Sequence, residues 1–176
     1  NALSSFQHRE PNAVGAALTN ENLHTELITD GIHSHPLSIK LAYLAKGSDR
    51  LIMITDSMRA KGLGNGTYEF GGQTVTVSGE KALLSDGTLA GSILRMKDGV
   101  KRMKQITHCE WTEIAKMTST NAAIQLGLDQ QLGSIEVGKQ ADLVIWDESG
   151  ELMMTICRGQ IVFEKRRPTT NEHHRI

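Results

Sequence analysis

Asp56 stands directly after Leu51 to Thr55, a continuous apolar run of the kind that forms a strand buried on both faces. In parallel α/β folds, functional groups collect at the carboxyl ends of strands, so a carboxylate there suits a general base or a metal ligand. The plainer reading has Asp56 capping a turn; its position favours chemistry. His33 and His35 occupy a second polar loop, Asp30 to Pro36, that also follows a strand-like segment. A His-x-His pair is a metal-chelating spacing, but two histidines do not complete a zinc site and no Cys or other His stands at a diagnostic distance. The non-metal reading is preferred: His35 helps cap the helix opened by Pro36, and His33 faces a cleft as a neutral hydrogen-bond donor.

Two further segments carry candidate chemistry. Asn1, His8, Arg9, Glu10 and Pro11 form a polar opening loop, and a guanidinium is a rigid fork of donors suited to a phosphate. A solvated loop is the alternative. Thr88 to Ser92 is a small-residue loop before a helix, where a ligand approaches the backbone closely and free N–H groups favour anionic or carbonyl oxygens. His173 and His174 read as solvated tail residues.

These groups need elements to hold them. Leu23 to Thr29 reads as a short strand; Pro36 opens a helix in which Leu37, Leu41 and Leu44 recur at helical spacing, and Gly47 stops it. Strand, polar loop, helix and buried strand are the grammar of a parallel α/β sheet. Asn65-Gly66 and Gly71-Gly72 are hairpin turns, with Val75 and Val77 alternating with threonine, and Ser85-Asp86-Gly87 makes another turn. A helix is expected from Ser92, capped by that serine, with Ile93, Met96, Val100 and Met103 on one face. Separate helices follow at Trp111 to Met117 and Ala122 to Leu126, the latter stopped by Gly127. The last third is β-rich, with strands over Ala141 to Asp147, Met153 to Cys157 and Gln160 to Glu164, the last two a hairpin around Arg158-Gly159.

Composition limits the options. The 176 residues are 39% hydrophobic and 22% charged, enough for a domain with a core, and 19 Lys+Arg against 20 Asp+Glu leave a formal charge of −1. That balance argues against nucleic-acid or polybasic membrane binding, and no apolar run approaches the roughly 18 residues of a membrane span. The two cysteines, Cys109 and Cys157, lack CxxC partners and read as reduced thiols of a cytoplasmic protein. The chain opens without Met, as if cut from within a longer sequence.

Gly133 to Val144, with Ile135-Glu136-Val137-Gly138-Lys139 and Ala141-Asp142-Leu143, resembles the closing signature of metal-dependent amidohydrolases. In order along the chain, Asn1-Ala2, His8-Arg9-Glu10-Pro11, Asp30-Gly31-Ile32-His33, Thr55-Asp56 and Thr88 to Ser92 resemble the carboxyl-terminal half of the N-acetylglucosamine-6-phosphate deacetylase family. The similarity runs from Asn1 to about Glu164.

The resemblance implies an α/β fold: the carboxyl-terminal part of a (β/α)8 TIM-like barrel over residues 1–131, with a β-hairpin insertion near 65–86. Strands of a small β-sandwich would follow over 132–164, and a polar tail over 165–176. It implies hydrolysis of the acetamide of N-acetylglucosamine 6-phosphate, a sugar-phosphate substrate and a homodimer. Asp56 matches the catalytic aspartate and His33 the histidine that contacts the substrate amide and sugar. Asn1, Ala2 and Arg9 match the phosphate-binding group, and Leu89, Ala90 and Gly91 the lining around the acetyl group. The family's divalent metal, zinc or iron, is held by a Glu and two His that precede this segment, so the resemblance assigns no metal ligand here. A different amidohydrolase, such as a cyclic amidase or deaminase, and an inactive fragment are the competing readings.

Overall fold

The computed structural model describes residues 3–165; Asn1, Ala2, His173 and His174 lie outside them. The chain forms two compact units that meet between Ser134 and Ile135. Its elements mix helices with parallel and antiparallel strands, an α/β fold.

The first unit opens with helix α1 (Asn12–Thr19), strand β1 (Thr25–Ile28), helix α2 (Pro36–Lys46) and strand β2 (Leu51–Ile54). β1 and β2 pair in parallel, from Thr25 opposite Leu51 to Ile28 opposite Ile54. Leu51, Ile52 and Met53 are buried, as the unbroken apolar run requires. Pro36 occupies the first turn of α2, the His35 ring accepts from the Leu37 N–H at 3.2 Å, and Gly47 ends the helix at φ 62°. The buried face of α2 is Ile39, Ala42 and Lys46. Leu37, Leu41 and Leu44 lie on the other side, 71%, 50% and 69% exposed. Lys46 reaches out of its buried position to donate to the Asn20 carbonyl at 2.6 Å. Burial, then the nearby Arg50 cation, lowers its pKa.

An antiparallel sheet follows: β3 (Gly66–Phe70), β4 (Gln73–Ser78) and β5 (Lys81–Leu83). Gly71 and Gly72 both have positive φ, 60° and 79°, as a two-residue hairpin loop with right-handed twist demands. Val75 and Val77 point to one face and close a small core with Met58, Ala60, Ala82 and Ala90.

Two helical expectations are corrected. Helix α3 spans Met96–Thr107 and begins after Arg95, not at Ser92. Ser92 forms a parallel bridge with Ser57 and is spent on strand-like contacts, so it is no helix cap. Trp111 to Gln125 is also one continuous helical segment: α4 (Trp111–Ala115), a π-helical turn (Lys116–Thr120) and α5 (Asn121–Gln125). The hydroxyls of a Thr/Ser run compete for backbone groups and weaken a helix. Here the Thr118 hydroxyl donates back to the Ile114 carbonyl at 2.7 Å, and the backbone stays helical. Glu110 and Glu113 form a reciprocal capping box at its start, and Gly127, at φ 66°, follows its end.

The second unit holds β6 (Leu143–Trp146), β7 (Leu152–Cys157) and β8 (Gln160–Glu164), antiparallel in that order. Arg158 and Gly159, at φ 50° and 77°, turn β7 into β8, and Asp142 accepts from the Arg158 N–H at 2.7 Å. Both cysteines are free thiols, Cys109 buried and Cys157 exposed. Among the described residues no helix is long and apolar enough to cross a membrane.

Candidate active site

The parallel register of β1 and β2 brings two aspartates to one sheet edge. Ile28 and Ile54 are paired, so Asp30 and Asp56 each stand two residues beyond the carboxyl end of neighbouring strands. Asp56 is exposed and adopts φ 49°, a left-handed conformation that aspartate tolerates better than most residues. Its backbone is held firmly. The Ser92 N–H donates to the Asp56 carbonyl at 2.8 Å, and the Met58 N–H donates to the Ser92 carbonyl at 2.8 Å. The buried Ser92 hydroxyl donates to the Thr55 carbonyl and accepts from the Leu94 N–H. Ser57 adds a hydroxyl bond to the Leu94 carbonyl at 2.6 Å. Gly91, at φ 64°, passes so close that a Cβ there would lie 3.2 Å from the Asp56 carbonyl oxygen. An exposed carboxylate on a fixed backbone is a suitable proton carrier.

His33 is set by Asp30. One Asp30 oxygen accepts the Ile32 and His33 N–H groups, both at 2.9 Å, and the other lies 2.6 Å from His33 Nδ1. Both side chains are nearly covered, at 12% and 6% exposure. Burial pushes the Asp30 carboxyl upward, but the hydrogen bonds from the His33 ring and the two N–H groups outweigh it and hold the pKa below the usual carboxylate value. Gly31 makes the turn at φ 74°, with the Arg102 side chain packed over it, and Arg102 donates to the Asp30 carbonyl. His33 borders a cavity of about 550 Å³, also lined by Leu3, Ser4, Phe6, Leu27 and Ser38.

The remaining candidates are dispersed. Arg9 is exposed in a turn closed by paired Gln7 and Glu10 backbone bonds, and does not line that cavity. Asn1 and Ala2 lie outside the described residues. Leu89 pairs with Leu83, the Ala90 methyl is spent on the small core with Val75, and Gly91 sits beside Asp56. Sequence reasoning left Asp30 without a role of its own. Its signal was present: an aspartate three residues before a histidine, with glycine between, is a turn in which the carboxylate bonds its own following backbone.

The Amidohydrolase family model matches residues 24–162. The chain belongs to the amidohydrolase family. It is 63% identical over 163 residues to an N-acetylglucosamine-6-phosphate deacetylase of Bacillus subtilis (strain 168), matching 93% of this chain and 41% of that protein. To the protein of that name from Lysinibacillus sphaericus it is 47% identical, over 92% of this chain and 41% of the other. The crystal structure of N-acetylglucosamine-6-phosphate deacetylase from Thermotoga maritima superposes with a TM-score of 0.87 at 41% identity, covering 94% of this chain and 45% of that one. The chain thus spans about two fifths of the length of these curated relatives.

Amidohydrolases are generally metal-dependent. Among the described residues no three His, Cys, Asp or Glu side chains come together to hold a metal ion. Asp56 stands as a single exposed carboxylate and His33 Nδ1 is committed to Asp30, so the residues present do not by themselves make an amidohydrolase metal centre.

Proposed function

We propose that this chain supplies the proton-transfer and substrate-binding side of an enzyme that hydrolyses the acetamide of N-acetylglucosamine 6-phosphate to glucosamine 6-phosphate and acetate. The observation that carries the reading is Asp56 at the carboxyl end of β2, its backbone clamped by Ser92 while the residue stays exposed. The deacetylase names of the 63% and 47% identical relatives supply the substrate.

In this reading residues 1–131 form the last part of a (β/α)8 barrel with a hairpin insertion, and 132–164 belong to a small β-sandwich. The parallel β1–α2–β2 unit, the parallel bridge at Ser92 and α3 after it support the first part. The exposed apolar residues on β6 and β8 support the second. A zinc or iron ion would be held by residues outside this chain.

The chemistry asks three things of the residues present. Water adds to the acetyl carbon, the carbon–nitrogen bond breaks, and the water proton moves to the departing amine. Asp56 takes that proton and returns it, a carboxylate cycling between its two states. His33 contacts the acetamide and the sugar. Arg9, with Asn1 and Ala2, binds the 6-phosphate as a fork of donors. Leu89, the Ala90 backbone and Gly91 line the acetyl group.

The test is acetate release by a chimera that joins this chain to the amino-terminal part of the Bacillus relative. Turnover is expected on the 6-phosphate and not on unphosphorylated N-acetylglucosamine. Asp56→Asn should lower kcat by about a thousandfold or more, a general acid–base contribution, with sugar-phosphate binding largely kept. Wild-type turnover in that variant removes Asp56 from the mechanism, and equal turnover on both sugars removes the phosphate from the substrate.

A further inference from the structure

The contact between Asp30 and His33 decides more than the ring's position. Asp30 accepts two hydrogen bonds within its own turn, from backbone N–H groups at 2.9 Å, and its other carboxylate oxygen lies 2.6 Å from His33 Nδ1. An N–H cannot accept, so one carboxylate oxygen is fully committed as an acceptor. Those two N–H bonds favour the ionised carboxylate, whose other oxygen is then an acceptor as well. The donor across the 2.6 Å contact is therefore the ring. A neutral imidazole has one N–H, and where that proton sits determines what the other nitrogen does.

We propose that Asp30 is a positioning residue that fixes neutral His33 as its Nδ1–H tautomer, so that the ring offers substrate the lone pair of Nε2. Such a nitrogen accepts from a donor on the ligand, an acetamide N–H or a sugar hydroxyl. To polarise a carbonyl instead, the ring must hold protons on both nitrogens, with Asp30 as counter-charge. The Asp30 carbonyl, held by Arg102, and the positive φ of Gly31 anchor the turn from the other side. Its tautomer claim stands on the turn geometry alone; the ligand it names rests on the deacetylase reading above.

The test is ring-nitrogen NMR on the ¹⁵N-histidine-labelled chain. His33 is assigned among the seven histidines by the signal lost in His33→Gln. The expected result is a protonated Nδ1 and an unprotonated Nε2 in the neutral ring. A neutral wild-type ring with its proton on Nε2 overturns the proposal without recourse to any variant. Asp30→Asn keeps an oxygen for the two N–H groups and turns an amide donor toward Nδ1, so it should move the proton to Nε2. A proton that stays on Nδ1 in that variant also overturns Asp30 as its determinant. Adding N-acetylglucosamine 6-phosphate then separates the two readings. A shift confined to Nε2 supports both, whereas an Nδ1–H ring that ignores the sugar phosphate leaves Asp30 in its role and counts against the substrate.

Discussion

Thr29 and Asp30 are neighbours buried at the same strand end, and the fold treats their polar atoms in opposite ways. Asp30 has every oxygen bonded, while the Thr29 hydroxyl, fully covered, has no hydrogen-bond partner among the described residues. Gly99 of α3 passes so near that a Cβ there would lie 2.8 Å from that hydroxyl oxygen. An unpaired buried hydroxyl costs desolvation with no return, so Thr29→Val should raise stability by about 1 kcal/mol in urea unfolding. A loss of that size would mean that the hydroxyl has a partner in solution. Asp30 carries a pH dependence of definite sign. Its pKa is lowered by folding, so its contribution is present above the unfolded value of about 4 and is lost as the pH falls through the folded one. Asp30→Asn should therefore be less stable than wild type at pH 7, and the gap should close below about pH 4. A gap that is constant from pH 7 to pH 3, measured by denaturant midpoints, would assign the loss to packing. At this scale the sequence made His35 legible as a helix cap, because Pro36 marks the helix start beside it. It left the Asp30–His33 pairing unread, because a side-chain contact of this kind depends on a turn whose shape is set by the positive φ of Gly31 and the weight of Arg102 upon it.

Elements were legible where a single local force chose them. The apolar run of β2, the glycine pair between β3 and β4, and the Pro36 and Gly47 limits of α2 each name their structure. Local reading failed where partners distant in sequence intervened. Ser92 has the chemistry of a cap, but Thr55 and Asp56, more than thirty positions earlier, claim its hydroxyl and N–H for strand-like bonds. The leucines of α2 show helical period, yet period does not reveal which face turns inward, and Ile39 with Ala42 takes that place. The run from Lys116 to Asn121 shows the same effect. Buried Asn121 donates its amide to the Ser48 carbonyl at 2.7 Å and the Leu51 carbonyl at 2.8 Å, tying this helix to the entry of β2. The π-helical turn immediately precedes it, at a point where one extra residue per turn shifts the facing of all that follows. Asn121→Ala would leave two carbonyls without that donor at a largely buried position. We expect a loss of about 2–4 kcal/mol, read from urea unfolding with an unchanged m-value. A loss below about 0.5 kcal/mol would show that the helix is held by Met117 and Ile114 packing instead.

At the scale of the whole molecule the two units differ in how they are held. In the first, Leu51, Ile39, Met103 and Met117 are wholly buried, and strands and helices cover one another. In the second, among the described residues, no side chain reaches full burial, and Val144, Ile145, Ile161, Val162 and Phe163 remain exposed. Adjacent residues of a regular strand point to opposite faces, so Val144 and Ile145 expose apolar area on both sides of this sheet. Three strands need an apolar face covered before they are independently stable. The Arg158-Gly159 pair told of a hairpin, but no residue pattern states what lies against its strands. This is also the region where the length of the chain matters, since it spans 41% of its Bacillus relative. If the sheet is held mainly by its own ladder, its amides open locally without unfolding the first unit. Hydrogen exchange on this chain should then give Leu152–Cys157 and Gln160–Glu164 opening free energies near the low end of the molecule, well below those of Leu51–Ile54. Adding the amino-terminal part of the Bacillus protein in trans should slow exchange in β6 to β8 if that part supplies strands that pack on this sheet. Protection already equal to that of β2 in this chain alone would mean that the apolar faces are covered in solution, and the sandwich reading would have to yield to one in which copies of the chain cover each other.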